Sequence, residues 1–438
     1  MKVRSIVAVL LACAISHVNT AQAQSPIGQP GVTELLRTTQ STMQIYANRN
    51  NQIATGLSFG SHVGQVVYYD PSSGLSQTAV PTEDRFFGLA LSNWGVSVLG
   101  ISQSGPFNTY TAPFSQPLTK VFAGSSGGTT SLAAINDAGQ QGFVSRLDTG
   151  PFKSAYHAEP ASPPQQTPSF GNFNLSQFAL IDNAGGVVVT AVQQTPTYVA
   201  DLYRYDSTDG WQNLTDGFSE HVVSSLASTT MNAAGDTTFI SYDPTGGGEY
   251  YLNVYRTATE SIDRISAVSY ASQFGPQLRQ VDAQIDDAGA MLAEIGGANF
   301  SDAQASMLLS TPDGTLIDLG QLLPANEQIP SYPFFDDFML TPGGQALFNS
   351  RNGVTGLWTY HHYDYSRGHL YTIPELSNLL RPLGQSVLTD DSRVYFWNED
   401  GAENVLGVLN VPEPSTLGLF ALGCVAVGAA RWRRRRRL

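Results

Sequence analysis

Cysteine, lysine and the familiar catalytic motifs are scarce in this sequence of 438 residues. The two cysteines are Cys13 and Cys424, so the long stretch between them cannot contain a disulfide framework, a thiol nucleophile or a cysteine-ligated metal. The P-loop, the dinucleotide-binding glycine pattern, the EF-hand loop, the HExxH zinc motif and the Gly-x-Ser-x-Gly elbow are absent from the sequence. The sequence therefore predicts no catalytic residue, no metal site and no cofactor.

Positive charge is concentrated at the two ends of the chain. Eight of the 22 Lys and Arg residues, but only one of the 36 Asp and Glu residues, lie in residues 1–23 and 411–438. The formal charge of the intervening body is consequently −21, against −14 for the whole chain. Such an acidic body excludes nucleic acid as a partner, because phosphate binding requires clustered Lys and Arg.

Residues 1–23 have the pattern of a secretory signal peptide. Lys2 and Arg4 precede a short apolar region, and Ala21 and Ala23 place small residues where signal peptidase cleaves. The apolar run is too short for a membrane-spanning helix, and polar residues follow it. We expect a signal helix that is removed after Ala23.

The last 28 residues combine a short motif, an apolar run and an arginine block. The motif is Pro412-Glu413-Pro414, and the block is Arg431 with Arg433, Arg434, Arg435, Arg436 and Arg437. The apolar run contains Leu417, Leu419, Phe420, Leu422, Val425, Val427 and Ala430. As a helix it spans about 21 Å, which is short for a hydrocarbon core of about 30 Å. The arginines favour retention on the cytoplasmic side, so both a transient stop and an ordinary membrane anchor fit this short transmembrane helix.

These three parts, in this order, closely resemble the PEP-CTERM sorting signal of Gram-negative bacteria. The resemblance covers residues 411–438 and implies an exosortase-type processing enzyme as a partner. It further implies export, transient residence in the inner membrane, and release or transfer to the envelope, in bacteria that often make exopolysaccharide. It implies nothing about chemistry.

A short turn recurs through the body, residues 24–410. An apolar residue precedes a four-residue turn that ends in Gly, and an apolar strand follows. The clear copies contain Asn136 and Gly139, Asp182 and Gly185, Asn232 and Gly235, and Asp286 and Gly289. Looser copies end at Gly95, Gly344 and Ser392, and a degenerate first copy spans Ala47 to Asn51. Asn or Asp at the first position can bond the backbone two residues on, and Gly at the fourth provides a positive φ.

A second kind of hairpin lies between successive copies, for example from Val66 through Gly74 and from Leu202 through Trp211. Two hairpins per repeat make four strands, and a four-stranded unit of about 40–50 residues is typical of a propeller blade. The sequence therefore predicts an all-β propeller of seven or eight blades, because the first copy either forms its own blade or completes the last one. An open solenoid and paired sandwiches are the alternatives.

The repeat also resembles that of the bacterial choice-of-anchor proteins named for an Asn-x-x-Gly-x-x-Ala-Phe motif. Asn136, Gly139 and Phe143 match the motif best, although the Ala position varies from copy to copy. This resemblance implies repeat architecture and export, and it brings no activity.

Candidate chemistry in the body is limited to a few clusters. His361 and His362, with Asp364 and His369 nearby, form a His-rich patch, but adjacent strand residues face opposite sides and so cannot share a metal. We expect this patch at a solvated edge or turn. Asp286 and Asp287 lie in a repeated turn, where Asp has a backbone role. Asp336 and Asp337 form another carboxylate pair. The Pro-rich stretch 159–168 predicts an exposed loop.

Three classes of function fit these observations. The favoured one is a non-catalytic envelope or extracellular matrix protein whose propeller binds a polysaccharide or an envelope protein. The second is a secreted glycan-active enzyme, a lyase or hydrolase, with carboxylates converging at the propeller mouth. The third is a purely structural surface component. Two carboxylates about 5–10 Å apart in a cleft would favour a glycosidase.

Overall fold

The chain forms a ring of eight antiparallel sheets in the computed structural model, which confirms the all-β propeller. The structure describes residues 31–59, 62–81, 84–102, 105–124, 129–146, 154–160, 162–168, 173–175, 179–193, 199–222, 229–243, 249–267, 278–297, 306–329, 338–376, 386–400 and 403–411. The predicted signal helix, the sorting segment and Asp336-Asp337 lie outside these residues. Within these ranges, no helix has the length and apolar character that crossing a membrane requires.

The first four blades follow one another along the chain, and each runs from an inner strand to an outer one. Blade 1 consists of β2 (Ser41–Ala47), β3 (Ile53–Phe59), β4 (His62–Asp70) and β5 (Gly74–Ala79). Blade 2 consists of β6 (Arg85–Leu91), β7 (Gly95–Ile101), β8 (Phe107–Pro113) and β9 (Thr119–Ala123). In blades 3 and 4 the inner strand is split in two. Blade 3 has β10 (Thr129–Thr130), β11 (Ala134–Ile135), β12 (Gln141–Arg146), β13 (Ser154–Ala158) and β14 (Gln165–Gln166). Blade 4 has β15 (Phe173–Leu175), β16 (Leu180–Ile181), β17 (Val187–Gln193), β18 (Val199–Asp206) and β19 (Gly210–Asn213).

Blades 5 to 7 repeat the same order. Blade 5 has β20 (His221–Val222), β21 (Thr237–Asp243), β22 (Glu249–Arg256) and β23 (Ser261–Ala267). Blade 6 has β24 (Leu278–Ile285), β25 (Met291–Gly297), β26 (Ser306–Ser310) and β27 (Leu316–Asp318). Blade 7 has a split inner strand, β28 (Glu327–Gln328) and β29 (Phe338–Leu340), followed by β30 (Gln345–Asn352), β31 (Trp358–Asp364) and β32 (His369–Ile373). Two short 3₁₀ helices, Leu319–Leu322 and Pro374–Leu376, follow the outer strands of blades 6 and 7.

The eighth blade joins the two ends of the body. Its three inner strands are β33 (Ser386–Leu388), β34 (Arg393–Asp400) and β35 (Glu403–Asn410), and its outer strand is β1 (Val32–Thr38). The strand β1 pairs antiparallel with β35, with Val32 opposite Leu409 and Thr38 opposite Asn404. The first copy of the turn therefore belongs to its own blade, and β1, which carries no repeat signal, closes the ring.

The core lies where the second strands of the blades pack against neighbouring blades. In blades 2 to 8 the residue four positions beyond the turn is buried, with no more than 2% of its surface exposed in any case: Leu99, Phe143, Val189, Phe239, Ala293, Phe348 and Phe396. Fully burying one of the larger of these side chains stabilises the folded state by about 1.5–3 kcal/mol. The regular spacing of these residues is what makes one blade pack on the next.

The Pro-rich stretch differs from the expectation of a plain loop. Its residues Gln165 and Gln166 form β14 and pair with His157 and Tyr156 of β13, although both glutamines are exposed. A two-residue edge strand is compatible with nearby prolines because the pairing uses only one side of the segment.

Candidate functional site at the mouth of the axial channel

The repeated turns join the first and second strands of all eight blades and so gather around the propeller axis at one face, here called the turn face. The first residue of every turn is buried: Asn48, Ser92, Asn136, Asp182, Asn232, Asp286, Thr341 and Thr389. Asn136 illustrates its role, since its Oδ1 accepts from the backbone N–H groups of Ala138 at 3.1 Å and Gln140 at 2.9 Å. The side chain thus satisfies backbone donors that would otherwise be buried without a partner.

Asparagine at this first position also connects neighbouring blades. Asn48 Nδ2 donates to the carbonyl oxygen of Ser92 at 3.0 Å, Asn136 Nδ2 donates to that of Asp182 at 2.8 Å, and Asn232 Nδ2 donates to that of Asp286 at 2.9 Å. Each acceptor is the first turn residue of the next blade. These bonds join blade 1 to blade 2, blade 3 to blade 4 and blade 5 to blade 6, so asparagine stands in alternate blades for a structural reason.

Aspartate takes the first position in the receiving blades 4 and 6. Asp286 Oδ1 accepts from the N–H of Ala290 at 2.7 Å, and its Oδ2 accepts from the Tyr365 hydroxyl at 2.8 Å. Burial raises the pKa of Asp286, and these two hydrogen bonds act in the opposite direction. Asp182 Oδ2 accepts from Arg204 Nε at 2.8 Å. In both aspartates Oδ2 therefore accepts a hydrogen bond from a side chain of the turn face. The amide nitrogen of an asparagine at the same place would be a donor.

The fourth turn position has a positive φ in most copies. Gly139, Gly185, Gly235, Gly289 and Gly344 all have φ between 81° and 89°, while Asn51 and Ser392 adopt φ 59° without being glycine. Gly95 differs, because it begins β7 and does not have a positive φ. A Cβ there would lie 2.1 Å from the carbonyl oxygen of Ala112. Glycine is therefore required for β7 to lie this close to β8.

The second turn residues form a ring around the axis: Arg49, Asn93, Asp137, Asn183, Ala233, Asp287, Pro342 and Asp390. Backbone N–H groups link this ring to the side chain of the following blade. The N–H of Asn93 donates to Asp137 Oδ1 at 3.0 Å, and the N–H of Asp137 donates to Asn183 Oδ1 at 3.1 Å. The side chains are therefore held in place by the turns themselves.

Arg49 crosses this ring. Its Nη1 donates to Asp137 Oδ2 in blade 3 at 3.0 Å, and its Nη2 donates to Asp287 Oδ1 in blade 6 at 2.6 Å. The three side chains remain 30–34% exposed, so they are accessible from solvent. One guanidinium in blade 1 thus joins two carboxylates on different sides of the axis.

A cavity of about 210 Å³ lies at this position, here called the axial mouth. Its lining comes from the turns of blades 1 to 5 and from Pro342 of blade 7, and it includes Arg49, Asn93, Asp137 and Asn183. The side-chain oxygen of Asn93 is buried and has no hydrogen-bond partner. The axial mouth therefore offers a guanidinium and a carboxylate to solvent in a space smaller than the roughly 300–1,000 Å³ of drug-sized sites.

Two members of the His-rich patch, His361 and His362, are not at a solvated edge, which corrects that expectation for them, whereas His369 is exposed at the start of β32. His361 and His362 are 0% and 3% exposed in the middle of β31. His361 Nε2 lies 2.8 Å from Ser350 Oγ and 2.9 Å from Glu327 Oε2, while Ser350 Oγ donates to the same Glu327 oxygen at 2.6 Å. Burial lowers the pKa of His361, and Glu327 acts in the opposite direction. The polar partners within the blade explain why the imidazole can be buried.

This Glu–Ser–His cluster resembles a catalytic triad in composition, but blade 5 gives it another interpretation. There Ser241 donates to Glu220, Asn253 Nδ2 donates to Ser241 Oγ at 2.8 Å, and Arg264 pairs with Glu220. Asn253 stands opposite Phe239 as His361 stands opposite Phe348. Because asparagine cannot act as a general base and both serines are fully buried, these clusters brace strands within a blade.

The sequence did not identify Arg49, Asp137 and Asp287 as a site. A signal exists in the aligned turns, since the second position is Asn, Asp, Ala or Pro elsewhere and Arg only in the first copy. Among the described residues, no group of three or more His, Cys, Asp or Glu side chains is arranged to hold a metal ion.

Comparison with known proteins identifies one segment of the chain. Residues 410–436 match the PEP-CTERM protein-sorting motif. This motif implies an exported protein that is sorted by an exosortase and anchored transiently in the membrane. No curated protein matches the chain.

Solved structures are similar in fold at low identity. Pyrococcus horikoshii acylaminoacyl peptidase is 11% identical with a TM-score of 0.47, and the match covers 76% of this chain and 52% of that one. The β-propeller domain of the trilobed protease from Pyrococcus furiosus is 11% identical with a TM-score of 0.44, over 76% and 98% of the two chains. TolB from Acinetobacter baumannii is 10% identical with a TM-score of 0.39, over 64% and 62%. The chain spans about half the length of the acylaminoacyl peptidase, and similarity at this level carries no argument about function. The resemblance of the repeats to the choice-of-anchor proteins stays a prediction.

Proposed function

We propose that the chain is an envelope or extracellular matrix protein whose non-catalytic propeller binds a sugar group of a polysaccharide at the axial mouth. In this proposal a signal peptide directs export, and an exosortase-type enzyme of a Gram-negative bacterium removes the tail. The observation that carries the binding role is the partly exposed bridge from Arg49 to Asp137 and Asp287 beside the cavity of the axial mouth.

The chemistry of the axial mouth suits hydroxyl groups. The guanidinium of Arg49 donates and the carboxylate of Asp137 accepts, so neighbouring hydroxyls of one sugar find both kinds of partner. The acceptors outnumber the cation, which disfavours an anionic ligand. A cavity of about 210 Å³ has room for a single terminal or branching sugar and not for a longer stretch of chain.

A glycan-active enzyme remains the second candidate because two carboxylates do converge at this mouth. Asp137 and Asp287 accept from the two Nη atoms of the same guanidinium. The distance between the two carboxylates therefore cannot exceed the sum of two hydrogen bonds and the Nη–Nη separation, which is compatible with the roughly 5–10 Å between the carboxylates of glycosidases. Glycosidases need open space between the carboxylates for the glycosidic oxygen or a water. Arg49 fills that space and neutralises charge on both sides, which supports binding over hydrolysis. A purely structural surface role is the third candidate.

The processing part is tested by mass spectrometry of the protein recovered from the cell envelope and culture medium. We expect the mature chain to lack the arginine block and to begin near Gln24. Mature protein that still carries Arg433–Arg437 would exclude removal of the tail, and permanent anchoring in the membrane would then be the remaining interpretation.

The binding part is tested by a glycan-binding screen with the exported protein and two matched variants. Arg49→Ala removes the bridge at the axial mouth, and Arg37→Ala removes a similarly exposed arginine that pairs with Glu34 and Glu403 on blade 8. We expect Arg49→Ala to weaken binding at least tenfold and Arg37→Ala to leave it unchanged. Equal binding by both variants would exclude the axial mouth, no binding by any protein would favour the structural role, and shortened glycan products would favour the enzyme.

A further inference from the structure

Both ends of the propeller body lie at the turn face. Val32, the first residue of β1, stands opposite Leu409, and Asn410 stands opposite Arg393, the residue that follows the turn of blade 8. The next residue is tied to that turn, because the N–H of Val411 donates to the carbonyl oxygen of Ser392 at 2.8 Å. The chain therefore enters and leaves the fold beside the repeated turns.

No spacer separates the fold from the sorting motif. Val411 is 6% exposed and packs in a core cluster with Leu388 and Leu409. Pro412 begins the motif, and the apolar run begins at Leu417. Six residue steps lead from Val411 to Leu417, and they span at most about 22 Å when fully extended. The end of blade 8 is thus held within that distance of the membrane for as long as the tail is inserted.

The propeller is deeper than this tether is long. Strands of seven or eight residues, such as β7 and β30, rise about 25 Å from one face to the other. The opposite face carries the loops between second and third strands, including the Asn352–Leu357 turn with its exposed Val354. A tether attached at the turn face cannot bring that opposite face to the bilayer while keeping the rest of the body clear of it.

We infer that the turn face, with the axial mouth at its centre, faces the bilayer in the anchored precursor. The processing enzyme consequently acts in a gap of at most about 22 Å between a folded face and the membrane. This inference rests on the sorting motif and on the two chain ends, and it holds whether or not the axial mouth binds a sugar.

The negative charge of the turn face indicates that only the tether holds this face close to the bilayer. The first-to-second-strand turns carry one arginine, Arg49, against six aspartates: Asp137, Asp182, Asp286, Asp287, Asp390 and Asp391. Inner-membrane lipids with anionic headgroups repel such a surface, and screening over about 8 Å weakens that repulsion without reversing it. Cutting the tail therefore frees the body from the membrane surface.

The orientation can be measured by energy transfer from single labelled cysteines to an acceptor on the lipid headgroups. The full chain is prepared with Cys13 and Cys424 changed to Ser, inserted in vesicles that contain anionic phospholipid, and labelled at one site. Ser72→Cys in blade 1 and Thr208→Cys in blade 4 place exposed labels on the turn face. Val354→Cys places a label on the opposite face of blade 7, which neighbours the tail-bearing blade.

We expect higher transfer efficiency from Ser72→Cys and Thr208→Cys than from Val354→Cys, although Thr208 lies across the ring from the tail. Equal efficiencies at the three sites, or the highest efficiency at Val354→Cys, would overturn the inference. The control inserts about 20 Gly and Ser residues between Val411 and Pro412, which adds a flexible reach of about 25 Å. We expect this insertion to remove the difference between the faces, and a difference that persists would assign the orientation to adhesion of the turn face and not to the short tether.

Discussion

Arg49 and Asp287 are 238 residues apart in the chain, and Nη2 of the arginine donates to Oδ1 of the aspartate at 2.6 Å. The same guanidinium reaches Asp137, so blades 1, 3 and 6 meet at one side chain. Neighbouring blades are already joined by core contacts and turn hydrogen bonds. This bridge is different because it connects blades that do not touch each other in the ring.

Removing the bridge should destabilise the ring modestly. In Arg49→Met the aliphatic part of the side chain is retained, and Asp137 and Asp287 are left without the cation between them. We expect the free energy of unfolding to fall by about 1 kcal/mol, because partly exposed ion pairs are weak. Urea unfolding of Arg49→Met and of Arg37→Met, whose arginine is 34% exposed, provides the comparison. A larger loss in Arg37→Met would contradict a special role for the bridge.

Glycine at Gly139, in a repeated turn, has two separate requirements, and Gly74, in the third-to-fourth-strand hairpin of blade 1, shares only one of them. Gly74 and Gly139 have nearly the same φ, 84° and 81°, but a Cβ on Gly74 meets nothing within 4 Å. A Cβ on Gly139 would lie 2.6 Å from the indole of Trp94. We expect Gly74→Ala to cost about 1 kcal/mol for the left-handed backbone alone and Gly139→Ala to cost at least about 2 kcal/mol. Thermal unfolding of both proteins measures the difference, and equal losses would mean that Trp94 moves aside freely.

The asparagine of the turn should not be replaceable by its isostere. Asn136→Asp keeps an oxygen for the N–H groups of Ala138 and Gln140 but loses the donor to the Asp182 carbonyl, and it buries a charge beside that acceptor. We expect a loss of about 1–3 kcal/mol. Asp286→Asn makes the reverse substitution and is the matched control. It should lower the free energy of unfolding less than Asn136→Asp does, because burial already disfavours the charged form of Asp286. Chemical denaturation of the two variants decides this, and the reverse order would contradict the assignment of the Asn136 amide as a donor.

Stability should fall on mild acidification in part because of His361, one of two buried histidines in blade 7. Burial lowers the pKa of His361, so the unfolded chain, with a pKa near about 6.5, binds a proton first as the pH falls. The stability is fully present above that pH and is lost below it, by at most about 1.4 kcal/mol per pH unit for one proton. His361→Asn, which copies Asn253 of blade 5, should reduce the loss between pH 7.5 and 5.5. His369→Asn, at an exposed position, should not, and an unchanged pH dependence in His361→Asn would falsify this account.

The sequence predicted the blades well because each blade repeats the same local chemistry. Asn136 and Gly139 mark a turn through their own backbone preferences, and the position of Phe143 follows from the strand period. The same reasoning was insufficient for β1, because Val32–Thr38 contains no turn and acquires its place only by pairing with β35, more than 360 residues away. The number of blades therefore stayed open between seven and eight.

The candidate site was less predictable than the fold. Arg49 lies in the weakest copy of the repeat, and its partners come from blades 3 and 6, so no local pattern indicates the bridge. The burial of His361 was missed for a related reason, since an imidazole is expected at the surface unless polar partners are known. Those partners, Glu327 and Ser350, are 34 and 11 residues away from it, on other strands of the same blade.

The pairing of β1 with β35 sets an order of events for export. The ring cannot close until residue 410 has crossed the membrane, because its last sheet needs both the first and the final strand of the body. Until then seven blades are available and one seam is open, because the outer strand β1 lacks its neighbour β35, the third strand of blade 8. The sorting motif begins at Pro412, two residues after β35 ends, so the last sheet of the fold becomes complete only when the chain has been translocated as far as its sorting segment.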